Sequence, residues 1–126
     1  MNMTVSDRIH GIIDYTIVVI FALAPTVFGF EGAAEIVSYS LAGIHLLMSL
    51  VSAMPYGAIS IISMRFHGIV ELVVGVLLVT VPWFAPTIFA TGGLFFTMMG
   101  CAILIVWAIS CYGQAFAAGA RLDQSA

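Results

Sequence analysis

Histidine and carboxylate side chains occur at the same spacing in two parts of this chain. His10 is followed four residues later by Asp14, and His67 is followed four residues later by Glu71. Residues four apart lie on one face of an α-helix, about 6 Å from each other. Imidazole and carboxylate groups at this distance can form a hydrogen-bonded pair, bind a metal ion or relay a proton. The two pairs are therefore the first candidates for chemistry.

Both pairs belong to an internal repeat. Five residues of the first unit recur 57 positions later, without a gap, as the same or a similar residue type: Arg8/Arg65, His10/His67, Gly11/Gly68, Asp14/Glu71 and Pro25/Pro82. Two of the three basic residues and two of the three histidines lie in this register. Because internal repeats define architecture, we divide a single transmembrane domain, residues 1–126, into repeat units at 6–56 and 63–113.

The composition excludes a soluble domain. Of 126 residues, 63% are hydrophobic and 7% are charged, whereas soluble domains carry about 25% charged residues. A spanning helix needs about 20 mostly apolar residues, and Pro82, Pro86 and Gly92 divide the long last uncharged stretch in two. We predict an all-α membrane protein whose four transmembrane helices form two tandem, parallel-duplicated helical hairpins. The predicted spans are about 8–29, 34–54, 64–84 and 89–112.

The few charges indicate an orientation. Arg8 precedes the first predicted span, Arg65 lies between the second and third, and Arg121 follows the fourth, so all three are on one side. The opposite loops contain Glu31 and Glu35 and no basic residue. Because cytoplasmic loops carry the excess of lysine and arginine, we expect both termini to be cytoplasmic.

Small residues in the second and fourth spans indicate helix packing. Gly43 and Gly100 occupy equivalent positions of the repeat, and small residues let membrane helices approach closely. We therefore expect both glycines to lie at helix–helix contacts. Ser6 and Ser63 precede the first and third spans and are expected to act as N-caps.

The two histidine–carboxylate pairs are expected to meet. Ionisable residues inside a span normally face the bundle interior and find partners. Since His10, Asp14, His67 and Glu71 hold equivalent positions, we expect them at one depth near the inner interface, with the first and third spans adjacent.

Three interpretations of this cluster compete. In the first, the pairs and the neighbouring Arg8 and Arg65 bind only each other and anchor the helices. In the second, the two histidines ligate a haem iron (haem b) or, with both carboxylates, a divalent metal ion such as zinc, iron or manganese. In the third, the carboxylates couple protons or cations to transport. The first is preferred, so no cofactor is expected.

His45 stands outside the repeat because its counterpart is Ala102. We expect a lone histidine in a span to hydrogen-bond a neighbouring carbonyl or hydroxyl. The alternative is that it reaches Asp14 or Glu71 and relays a proton.

The sequence contains no nucleophile–base pair, phosphate-binding loop or basic patch for nucleic acid. We therefore expect a non-catalytic membrane protein rather than an enzyme. Its expected partners are the lipid bilayer and either further copies of itself, in a homo-oligomer, or a larger membrane complex with the chain as accessory subunit.

Two short motifs resemble a known family. The second unit reads Val81-Pro82-Trp83 and the first reads Ala24-Pro25-Thr26, and the run His10 to Tyr15 reads HGIIDY. Over residues 6–112 the chain resembles the SPW-repeat family of small bacterial membrane proteins, with valine in the serine position of the second unit. The resemblance implies an integral protein of the bacterial cytoplasmic (inner) membrane and implies no activity.

Overall fold

The protein is all-helical. A computed structural model describes residues 7–125, apart from the side chains of residues 111–121. It contains four helices in chain order: α1 (Asp7–Phe28), α2 (Ala33–Val51), α3 (Met64–Phe84) and α4 (Gly93–Ser125). Each contains a stretch that is long and apolar enough to cross a membrane, which in α4 is Gly93–Ser110. The predicted fold class is confirmed, and these are the properties of a multi-pass membrane protein.

Three helix ends differ from the sequence prediction by three residues or more, and one of them is the end of α4, which continues to Ser125 rather than ending at 112. Helix α2 ends at Val51, three residues before the predicted end at 54, because Ser52 adopts an extended conformation with φ −85° and ψ 148°. Helix α4 begins at Gly93 rather than at 89. The turn before it closes at Gly92, whose φ of +95° is favourable only for glycine.

The connection between α2 and α3 folds back over the ends of the helices. The Ala53 amide donates to the Ile62 carbonyl at 2.9 Å, and the Tyr15 hydroxyl of α1 donates to the Tyr56 carbonyl at 2.7 Å. Ser63 is the N-cap of α3, since its hydroxyl accepts from the Phe66 amide at 3.2 Å. The other predicted cap, Ser6, lies outside the described residues.

Aromatic rings join the two hairpins at the end of the bundle away from this connection. Helix α1 packs mainly against α2, and α3 against α4. Between these hairpins Phe96 is fully buried, and its ring centroid lies 6.4 Å from Phe21 and 5.6 Å from Phe30. Aromatic pairs at such distances add to the stabilisation from burial alone. This aromatic core joins α1 and α4 at one end of the bundle. The buried histidine and carboxylate residues lie at the other end.

Only one of the two predicted packing glycines is closely approached. A Cβ added at Gly100 would lie 2.8 Å from the Leu78 Cβ and 2.9 Å from the Gly75 carbonyl oxygen of α3, so α3 and α4 require glycine there. No atom lies within 4 Å of a Cβ added at Gly43. Contrary to the prediction, Gly43 makes no close helix contact within the described chain. The buried position is its neighbour Ala42, and successive residues point about 100° apart around a helix.

Candidate functional site: a buried histidine–carboxylate cluster

The polar residues of three helices lie at one depth. Asp14 and Glu71 each follow the first residue of their helix by seven positions, or about 10 Å at 1.5 Å per residue. His45 precedes the last residue of α2 by six positions. With the predicted end of the second span at residue 54, His45 would lie nine residues from that end, or about 13 Å, a turn deeper than the carboxylates. The earlier end at Val51 brings His45 level with the carboxylates.

We call His10, Asp14, His45, His67 and Glu71 the histidine–carboxylate cluster. Its shortest contacts join the two repeat units: His67 Nε2 to Asp14 Oδ2 is 3.1 Å, and His10 Nε2 to Glu71 Oε1 is 3.3 Å. The contacts within a helix are longer, 3.5 Å from His10 to Asp14 and 3.7 Å from His67 to Glu71. One ligating atom from each of these four residues lies within 4.8 Å of all the others. Side chains of α1 and α3 therefore meet at this level.

His45 also belongs to the cluster. Its Nε2 lies 3.4 Å from Asp14 Oδ1 and forms no hydrogen bond to a carbonyl or hydroxyl. The expectation of such a partner is not met for this atom, and the alternative, contact with Asp14, describes the structure. With 13% of its side chain exposed, His45 is the least buried member, whereas Asp14 is fully buried.

The atoms that face one another in the cluster meet in close ion-pair contacts but lack hydrogen bonds of good geometry. They are the Nε2 atoms of His10, His45 and His67, both carboxylate oxygens of Asp14, and Glu71 Oε1. Their contacts of 3.1–3.7 Å exceed the roughly 2.7–2.9 Å of a charge-assisted N–H···O bond. Buried polar atoms are almost always hydrogen-bonded, so six such atoms around one point require an explanation.

Two serines hold the outer nitrogens of the histidines. The Ser52 hydroxyl donates to the Met48 carbonyl at 2.5 Å and lies 2.6 Å from His67 Nδ1. Since a hydroxyl has a single hydrogen, Ser52 must accept from an Nδ1–H of His67. A neutral His67 therefore directs the lone pair of Nε2 into the cluster. His10 Nδ1 is held in a similar way, 3.1 Å from Ser110 Oγ.

Sequence reasoning missed both serines. At the 57-residue offset of the repeat, Ser52 corresponds to Ile109, and Ser110 corresponds to Ala53. Each hydroxyl contacts the Nδ1 atom of one histidine, but the two serines do not hold equivalent positions in the repeat. Comparison of the two units could therefore not reveal them. A third serine near the cluster, Ser49, is fully buried, and its hydroxyl has no hydrogen-bond partner.

The structure does not bring the arginines to the cluster. Arg8 and Arg65 are exposed, and the ion pairs found among the described residues involve only histidine and carboxylate side chains. Arg8 and Arg65 precede His10 and His67 by two positions, and residues two apart do not share a helix face. The prediction that they bind the cluster is therefore wrong. The side chain of Arg121 lies outside the described part.

A small cavity adjoins the cluster between α2 and α3. It is lined by His45, His67, Glu71 and seven apolar side chains. Its volume of about 20 Å³ is enough for about one water molecule.

Fold and site together define a four-helix, multi-pass membrane protein with a buried histidine–carboxylate cluster between its two hairpins. Comparison with protein-family models, with curated proteins and with solved structures finds no match to this chain. The resemblance to the SPW-repeat family therefore stays a prediction from short motifs, and the function has to follow from the chemistry of the cluster itself.

Proposed function

We propose that this protein binds one divalent transition-metal ion, preferably iron(II), in the histidine–carboxylate cluster. The observation that carries the proposal is the convergence of six buried nitrogen and oxygen atoms without hydrogen bonds. Of the three interpretations of the cluster, this geometry favours metal binding over a purely structural anchor. It also favours metal binding over proton- or cation-coupled transport by Asp14 and Glu71, which would not require three imidazole nitrogens to face the carboxylates.

The spacing of these atoms is that of ligands around an ion. Metal bonds to histidine nitrogen and carboxylate oxygen are about 2.0–2.2 Å long. Two such ligands at angles of 90–110° around the ion are separated by about 3.0–3.5 Å. The five nitrogen–oxygen contacts of the cluster measure 3.1, 3.3, 3.4, 3.5 and 3.7 Å.

Charge and outer contacts support the same conclusion. Two ionised carboxylates buried among apolar helices are costly unless they are compensated, and one divalent cation neutralises Asp14 and Glu71 together. The Nδ1–H of His67, held by Ser52, leaves Nε2 free to bind metal. Ligating histidines in metal sites characteristically donate their second N–H to such an outer partner.

The donor set limits the choice of metal. The four residues whose ligand atoms all lie within 4.8 Å of one another supply two imidazoles and two carboxylates, a set that can bind zinc as well as iron(II). A mixture of imidazole and carboxylate with room for further ligands is typical of non-haem iron(II). Haem is disfavoured because the neighbouring cavity of about 20 Å³ is far smaller than a porphyrin, and carboxylates occupy the space between His10 and His67.

Metal analysis of the purified protein tests the proposal. After chelator treatment and anaerobic iron(II) loading in detergent, we expect about one iron per chain to survive gel filtration. Ser52→Ala should weaken iron binding by about 10–100-fold, because outer-sphere partners orient the ligand. Ser60→Ala is the matched control, since Ser60 is exposed in the same connection, and should bind as the wild type does. A wild-type chain that retains no metal would refute the proposal.

We further propose that the cluster lies toward the cytoplasmic face of a bacterial inner membrane. The exposed Arg8 and Arg65 lie at the same end of α1 and α3 as the cluster, and Glu31 is exposed in the loop at the opposite end. By the positive-inside rule the arginine end faces the cytoplasm.

A reporter active only in the cytoplasm should work when fused after residue 126, and one active only outside should work near Glu31. The reverse pattern would overturn the orientation. Assembly with further copies or a larger complex stays a prediction.

A further inference from the structure

The three histidines of the cluster differ in their hydrogen-bonding partners and in their burial. Serine hydroxyls contact Nδ1 of His10 at 3.1 Å and Nδ1 of His67 at 2.6 Å, and both rings are almost fully buried. His45 has no counterpart in the repeat and is 13% exposed. It also lines the cavity between α2 and α3. The cluster therefore borders a cavity on the side of His45.

The cavity reaches the atoms that would bind the ion. Three members of the cluster, His45, His67 and Glu71, contribute to its wall. If His10, Asp14, His67 and Glu71 each supply one ligand atom, an octahedral ion retains two positions, and such open positions are typical of non-haem iron(II) sites. The cavity that borders His45, His67 and Glu71 brings a small molecule within reach of one of these positions.

Size and lining of the cavity define what can enter. Its volume of about 20 Å³ holds about one water-sized molecule. Apart from the three cluster residues the wall is apolar, with Phe21, Leu41 and Ile103 on three different helices. Burying a charged or strongly polar solute against such a wall without partners is unfavourable. A small uncharged molecule that dissolves in the bilayer meets no such penalty.

We propose that the cavity binds a small uncharged diatomic molecule, of the dioxygen class, as an additional ligand of the metal ion. This inference rests on the proposed metal site and extends it. The molecule would enter from the membrane between α2 and α3 and occupy the position bordered by His45 and Glu71. The ligand would bind by coordination alone.

Nitric oxide is the probe that tests this. The full chain, loaded anaerobically with iron(II), should bind nitric oxide and give the S = 3/2 EPR signal of a non-haem iron–nitrosyl. Val74→Leu extends a cavity-lining side chain by one methylene. This variant should lower nitric oxide affinity by about tenfold or more, because the longer side chain fills part of the cavity and must move before the ligand can bind. Its iron content should be unchanged. Val73→Leu is the matched control, since the neighbouring Val73 is 52% exposed, and should behave as the wild type does.

The outcomes separate this inference from the metal site. Iron retained at one per chain without a nitrosyl signal would overturn the inference and leave the metal site standing. Equal nitric oxide affinity in the Val74 and Val73 variants would place the ligand elsewhere and also overturn it. If Val74→Leu does not fold, Val70→Leu, which alters another lining residue, makes the same comparison. A chain without iron would overturn both proposals.

Discussion

Replacing His10 and His67 together by glutamine is expected to abolish iron binding, from about one ion per chain to none. The two imidazoles supply both nitrogen ligands of the four-residue group whose ligand atoms converge, and their Nε2 atoms lie 3.3 and 3.1 Å from the carboxylates of the opposite repeat unit. Without them one imidazole and two carboxylates remain, a set that no longer matches an iron site. Metal analysis after gel filtration measures the loss.

The same variant should still fold. Glutamine retains a polar amide that can donate to Asp14 or Glu71, so the carboxylates still face a polar side chain. The aromatic core around Phe96, which joins the hairpins at the other end of the bundle, is unaffected. We therefore expect an unchanged helical circular dichroism spectrum and elution volume. Retention of stoichiometric iron by this folded variant would show that the cluster is not the binding site.

The helices and half of the site follow from local features of the sequence. Uncharged length, with Pro82, Pro86 and Gly92 dividing the last stretch, predicts four spans, and the described structure contains four helices that could span a membrane. The repeat identifies His10 and His67 because polar residues are rare in this chain, and two units of similar sequence are expected to place equivalent residues at equivalent depths. The i, i+4 spacing then adds Asp14 and Glu71.

The rest of the site depends on where helices end and which way they face. His45 joins the cluster only because α2 ends at Val51, where the backbone becomes extended, and hydropathy does not resolve a boundary of three residues between apolar segments. Ser52 and Ser110 act from non-equivalent positions of the repeat. The direction in which Gly43 faces depends on the rotation of α2 against α1, which no local pattern sets.

Asp14→Leu is expected to destabilise the metal-free protein by about 3–5 kcal/mol, the usual cost of removing one partner from a buried ionic group. Asp14 is fully buried and is the only residue that faces all three histidines of the cluster. Leucine would leave His45 without its contact at 3.4 Å and place an apolar side chain against imidazole nitrogens. Thermal unfolding in detergent with a chelator present measures the change.

Asp7→Leu is the matched control, because Asp7 lies exposed in the first turn of the same helix and contacts no member of the cluster among the described residues. Its stability should stay close to that of the wild type, and equal melting temperatures for the two variants would contradict a structural role for Asp14.

Added iron(II) then distinguishes a structural role of Asp14 from a role in metal binding. A ligand that binds only the folded state raises stability in proportion to RT ln(1 + [L]/Kd). Added iron(II) should therefore raise the melting temperature of the wild type and of Asp7→Leu, and leave that of Asp14→Leu unchanged.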